Sequence, residues 1–155
     1  MILSKSFTLE ALIFSETAIR KGISNEPSDE QIQNLTELAQ SLERVRDLVG
    51  ELHISSGFRS PKLNTVIGGS VNSAHTQGYA ADFTASGFGS PLDVCKAIEG
   101  SGISFDQLIM EGGKNGGWTH ISVDPRMRQE VLTATFINGT PIYAKGIVQE
   151  TTKAS

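Results

Sequence analysis

The chain has 155 residues, with 13 Lys and Arg against 17 Asp and Glu, a formal net charge of −4 and a sequence pI near 5.3. This length suits one domain, residues 1–155, that buries its own core, and 38% hydrophobic residues exclude a disordered chain. The acidic balance argues against a nucleic-acid partner, the one cysteine (Cys95) excludes a disulfide framework and a zinc site of several thiolates, and no apolar run reaches the length of a transmembrane helix.

The opening MILSKSFTLEALIFSE has one Lys before a weak apolar stretch that Glu10 interrupts, and no small-residue cleavage site follows. It therefore reads as part of the fold and not as a signal peptide. Thr8 is placed to cap a short helix over 9–14, and residues 21–28 read as a loop. Ser28 and Gln31 have capping-box spacing. Behind them Ile32, Leu35, Leu38, Leu42, Val45 and Leu48 recur in steps of three or four, which predicts one long amphipathic helix ended by Gly50. Ser60-Pro61 and Ser90-Pro91 predict two further helix starts, with Gly68 and Gly100 expected to end them in left-handed turns. Short strands are predicted at 52–56, 79–84, 105–111 and 118–123. Residues 131–145 read as a hairpin around Asn138-Gly139, a dipeptide suited to a type I′ turn. Helices come early and strands late, so the expected class is α+β with a mainly antiparallel sheet and helices packed against it.

The histidines are His53, His75 and His120. By strand parity Asp82 shares a face with Ala80 and Thr84, and His120 with Trp118 and Ser122. If the two strands are neighbours, Asp82 and His120 point into one cleft, and Gly78 allows the turn that brings His75 there. Two imidazoles and a carboxylate, with the fourth tetrahedral position left to water, form the layout of a catalytic zinc site. The same residues at these spacings also occur as packed or surface side chains, so the spacing alone leaves both readings open.

SAHTQGYAAD at 73–82 resembles the S-x-H-x-x-G-x-A-x-D motif of the zinc D-alanyl-D-alanine carboxypeptidase family. That family includes L-alanyl-D-glutamate endopeptidases and phage endolysins and shares its fold with the hedgehog signalling domain. SGFRS at 56–60, LNTVIGGS at 63–70, FDQLIMEGG at 105–113 and WTHIS at 118–122 fall in the family's order, so the resemblance spans about 7–135. The opening FTLEALIFSETAIRKGISNEP is similar to the start of a small phage and prophage subgroup. The resemblance implies one zinc ion held by His75, Asp82 and His120, and a substrate-binding or transition-state role for Arg59. It implies hydrolysis of a bond in the stem peptide of peptidoglycan, either D-Ala–D-Ala or L-Ala–D-Glu.

One position departs from the pattern. Many members carry an acid three residues before the last histidine ligand, and here that residue is Gly117. The nearest upstream acid is Glu111, which shares a strand face with Gln107 and Ile109. A loop over 112–117 (GGKNGG) can return the chain to Trp118 and leave Glu111 beside the His120 strand, as the candidate general base. Asp106 lies on the opposite face, and Asp124 is followed by a turning Pro125. Ser73 is a candidate for a supporting bond to the site, or simply a loop serine. Trp118 is a candidate cleft wall or a core residue. His53 reads as structural or exposed, Cys95 as a small buried hydrophobe, and the glycine-rich 112–117 loop lacks a phosphate-binding ending.

These readings lead to a zinc peptidase of phage or prophage origin acting in host lysis, with the stem peptide as its partner. It would be a monomer made in the host cytoplasm, acting in the periplasm or at the wall without inserting into the membrane. The alternative is a catalytically silent metal-holding binding module, or a phage-particle component, with the same fold.

Overall fold

The computed structural model describes residues 1–112 and 116–148. Part of the predicted 112–117 loop therefore lies outside the described residues. Helix α1 (Leu9–Ile13) starts where the Thr8 hydroxyl accepts from the Ala11 amide at 3.2 Å. A second short helix, α2 (Glu16–Lys21), was not expected and takes up the start of the predicted 21–28 loop. It spans too few turns to show periodicity, and Ala18 is its buried residue. Its caps are the signal: Ser15 accepts from Ala18, and Gly22 turns left-handed at φ 65°.

Helix α3 (Asp29–Val49) carries the full Ser28/Gln31 capping box. Its stripe buries Leu35, Leu38, Leu42 and Val45 but ends on Val49, not Leu48. A step of four from Val45 stays over the core, and Leu48 rotates out to 39% exposure. Helices α4 (Pro61–Ile67) and α5 (Pro91–Glu99) begin at Ser60 and Ser90, each with proline in its first turn. Gly68 turns left-handed at φ 88° as expected, whereas Gly100 stays right-handed at φ −85° and the left-handed turn comes at Gly102, φ 84°.

Strands β1 (His53–Ser56), β2 (Ala80–Thr84), β3 (Gln107–Glu111), β4 (Trp118–Ser122), β5 (Glu130–Ile137) and β6 (Thr140–Lys145) form one sheet in the order β1-β2-β4-β3-β5-β6. Every neighbouring pair is antiparallel except β3–β5. The fold is thus α+β with a mostly antiparallel sheet. Asn138 (φ 53°) and Gly139 (φ 80°) make the β5–β6 turn, with the positive φ at both positions that a type I′ turn requires.

One sheet face carries Ala81, Phe83, Leu108 and Ile121 into a core shared with Leu35, Leu38, Leu42 and Val45 of α3 and Val94, Cys95 and Ile98 of α5. The opposite parity carries Asp82, His120, Ile109 and Glu111 away from that core. To run parallel to β3, the chain between β4 and β5 must cross the end of β3. Buried Asp106 anchors this crossing by accepting from Arg128 Nε and Nη2, both at 2.9 Å, and from the Arg128 amide at 3.0 Å. Among the described residues, no helix is long and apolar enough to cross a membrane.

Candidate metal centre and its cleft

Asp82 and His120 are direct cross-strand partners in the β2–β4 ladder, so their side chains leave the sheet on the same face. His75 comes from a 3-10 helix over Ala74–Gln77, with the Ser73 hydroxyl accepting from the His75 amide at 3.2 Å and Gly78 turning left-handed at φ 83°. A side chain at Gly78 would come within 2.8 Å of the Gln31 carbonyl oxygen. The turn is fastened to α3 by bonds from Gln31 to Thr76 O (3.3 Å) and from Asn34 to Gln77 O (2.8 Å).

Around Asp82 the donors converge. His75 Nε2 lies 3.3 Å and His120 Nδ1 3.0 Å from Asp82 Oδ1. All three residues are buried, and their ligand atoms lie within 4.8 Å of one another. His75 Nδ1 is 2.7 Å from Gly57 O. A carbonyl only accepts, so Nδ1 carries the proton and Nε2 presents its lone pair to the cluster. Glu111 Oε2 stands 3.7 Å from His120 Nδ1. Arg59 donates from Nη2 to Asp82 Oδ2 (3.4 Å), from Nε to Ser56 Oγ (3.1 Å) and from Nη1 to Asn64 Oδ1 (3.2 Å).

These contacts set the charge states. Burial opposes ionisation of Asp82, but the flanking imidazoles outweigh it and hold the carboxyl well below the usual range. Burial lowers His75 against the pull of Asp82. Burial would also lower His120, but the bond to Asp82 and the charges of Asp82 and Glu111 raise it. Glu111 is raised by burial and by the nearby Asp82 charge, against the opposing effect of His120.

The donor set fits a divalent metal such as zinc. It offers two imidazoles and one ionised carboxylate, with the His75 tautomer already selected. The shorter donor separations are close to the ~3.3 Å edge of a tetrahedron built on bonds of about 2.0–2.1 Å. A cation there would favour the deprotonated form of every donor.

The cluster lies in a cleft of about 780 Å³. One wall is polar and includes Gly69, Ser70, Asn72 and Ser73; the other carries Trp118, Leu132, Phe136 and Tyr143. The second wall was only half legible. Trp118, Glu111, Ala134 and Tyr143 are successive partners across β4, β3, β5 and β6, so they form one row on the cleft face. The sequence marks the hairpin but not its register against β3. Trp118 packs against Phe136 with ring centroids 6.1 Å apart and planes inclined at 37°, and its buried Nε1 has no hydrogen-bond partner among the described residues. Ser56, Gly57 and Asn64 lie in the SGFRS and LNTVIGGS segments and also support the site, although no individual role for them is legible in the sequence. They act through short polar contacts that carry no spacing signature.

The remaining candidates lie elsewhere. His53 is exposed on β1. Cys95 is buried beside Thr119, its thiol pushed up by burial to about 11. Asp106 is committed to Arg128, and Asp124 pairs with Arg126 at 3.1 Å.

No curated protein matches this chain in sequence comparison. The family described as Peptidase M15 matches residues 5–122, a span that contains Arg59, His75, Asp82, Glu111 and His120 but not the β5–β6 hairpin. The chain therefore belongs to the M15 family of metallopeptidases.

Proposed function

We propose that this chain is a zinc peptidase that cleaves a bond in the stem peptide of bacterial peptidoglycan. The observation that carries this reading is the convergence of His75, Asp82 and His120 in one cleft with Glu111 and Arg59 at hand. His75, Asp82 and His120 would hold the ion, which when bound supplies Lewis acidity and lowers the pKa of water. Glu111 accepts a proton from the water attacking the scissile carbonyl and returns it to the leaving amine. Its carboxylate stands 3.7 Å from His120 Nδ1, beside the cluster that would hold the ion. Arg59 faces the same point with its charge and stabilises oxygen as negative charge develops on it. Ser73 holds the His75 turn in place, and Trp118 bounds the substrate on the apolar side. The stem peptide is rich in carboxylates, which suits a cleft with a polar wall beside an arginine. In this reading the protein is a phage or prophage endolysin that works as a monomer at the wall after synthesis in the host cytoplasm.

A second reading, a silent metal-holding module or a phage-particle component, draws on Gly117 at the position where the family pattern has an acid. The two are separated by digesting purified peptidoglycan with the zinc-loaded wild type, Glu111→Ala and His120→Ala, followed by mass spectrometry of the muropeptides. The wild type is expected to release new fragments whose masses name the bond, D-Ala–D-Ala or L-Ala–D-Glu. Glu111→Ala should be slower by about 10²-fold or more while keeping about one metal ion per chain. A zinc-loaded wild type that releases nothing overturns the peptidase reading. A fully active Glu111→Ala overturns the base assignment alone.

A further inference from the structure

We infer that Asn64 is a positioning residue for Arg59, and that Gly69 is small so that Asn64 can do this. The inference rests on the peptidase reading for the charge that Arg59 meets, but its geometry stands on its own. Asn64 is only 3% exposed, and both ends of its amide are used. Its Oδ1 accepts from Arg59 Nη1 at 3.2 Å, and its Nδ2 donates to Ser70 O at 2.8 Å. The Ser70 bond decides which way the amide points, because it commits the NH2 group to a carbonyl and leaves the oxygen facing the guanidinium. The Asn64 backbone is held as well, since its carbonyl accepts from the amides of Gly68 (3.0 Å) and Gly69 (2.9 Å).

With Nε on Ser56, Nη1 on Asn64 and Nη2 on Asp82, the guanidinium plane is gripped at three nitrogens. A flexible arginine would lose side-chain entropy each time it met the developing charge. One fixed in advance does not, and such preorganisation acts in the transition state more than in the ground state. The guanidinium N–H bonds not engaged by these partners remain for a substrate oxygen in the cleft that Arg59 lines.

Gly69 closes the device. A Cβ there would overlap Asn64 Oδ1 and come within 3.1 Å of Arg59 Nη1. Gly69 is not among the residues with positive φ, so its φ does not bar alanine, and the nearest conflicts are with these side chains. Gly69→Ala therefore displaces the Asn64 contact while deleting neither partner.

The test uses the zinc-loaded full chain. Asn64→Ala and Gly69→Ala are each expected to lower kcat by about tenfold or more, with KM within about twofold. In an Arg59→Ala background the same changes should cost less than about twofold, because they act through Arg59. Nitrogen NMR of the arginine side chains supplies a readout independent of activity. The wild type should show separate Nη signals for Arg59 from hindered rotation, and Asn64→Ala and Gly69→Ala should average them. Losses that add to Arg59→Ala, or a rise in KM at unchanged kcat, overturn the inference. So do Arg59 signals that are already averaged in the wild type. A wild type that is inactive yet shows hindered Arg59 signals released in both variants overturns the peptidase reading and leaves the positioning role standing.

Discussion

Gly117 illustrates how the backbone decides which positions beside the cluster can carry a side chain. Its φ is +94°, and a Cβ would overlap the Glu111 carbonyl oxygen and approach Gly112 Cα at 3.2 Å. The close return of the chain after β3 thus excludes any side chain where the family pattern has an acid. Glu111, the direct partner of Trp118, presents its carboxylate from the neighbouring strand. Gly117→Asp is expected to restore nothing. It should lower stability by about 1–3 kcal/mol through backbone strain and collision, read as a lower thermal midpoint, and it should reduce hydrolysis because the collision falls on Glu111 itself.

At the scale of elements, the crossing from β4 to β5 is what lets the hairpin join the cleft. Asp106 and Arg128 fasten it, and Gln129 adds bonds to Phe105 N (3.1 Å) and Ile103 O (2.8 Å). Hydrogen bonds from Arg128 hold the Asp106 carboxyl below its usual range. A depressed native value means that the pair's stabilisation is fully present above the unfolded value of about 3.9. It is lost as pH falls through the native value. Asp106→Asn should therefore cost about 1.5–3 kcal/mol near neutrality and flatten the acid limb of the stability curve. Denaturant midpoints of both proteins between pH 2 and pH 6 measure this. Equal slopes on the acid side would refute it.

At the scale of the whole molecule, the His75–Asp82–His120 cluster ties together pieces far apart in sequence: the 3-10 turn held by α3, strand β2 and strand β4. An ion that binds this folded arrangement and not the unfolded chain adds stability by mass action, about 4 kcal/mol at a thousandfold excess over Kd. Calorimetry should show a higher unfolding temperature with zinc, lost on chelation and restored by zinc. Asp82→Asn should largely remove the difference. An unfolding temperature that ignores zinc would count against metal binding at this site.

Much of this was legible in the chain itself because it is local. Caps at Thr8, Ser28, Ser60 and Ser90, the α3 stripe and the Asn138-Gly139 turn each depend on residues a few positions apart. Parity alone put Asp82 on one strand face and His120 on another, and the motif from Ser73 to Asp82 indicated which chemistry to look for. Only tertiary structure decided the rest. It set the β2–β4 register that makes Asp82 and His120 partners, the parallel β3–β5 pairing that turns the hairpin into a cleft wall, and the Asn64 contact behind Arg59. Strand register and side-chain contacts between distant segments follow from packing the whole core at once, and no spacing along the chain encodes them. The −4 charge remains a property of the sequence alone, whereas the charges that matter to the site (Arg59, Asp82 and Glu111) are defined by their burial together in the fold.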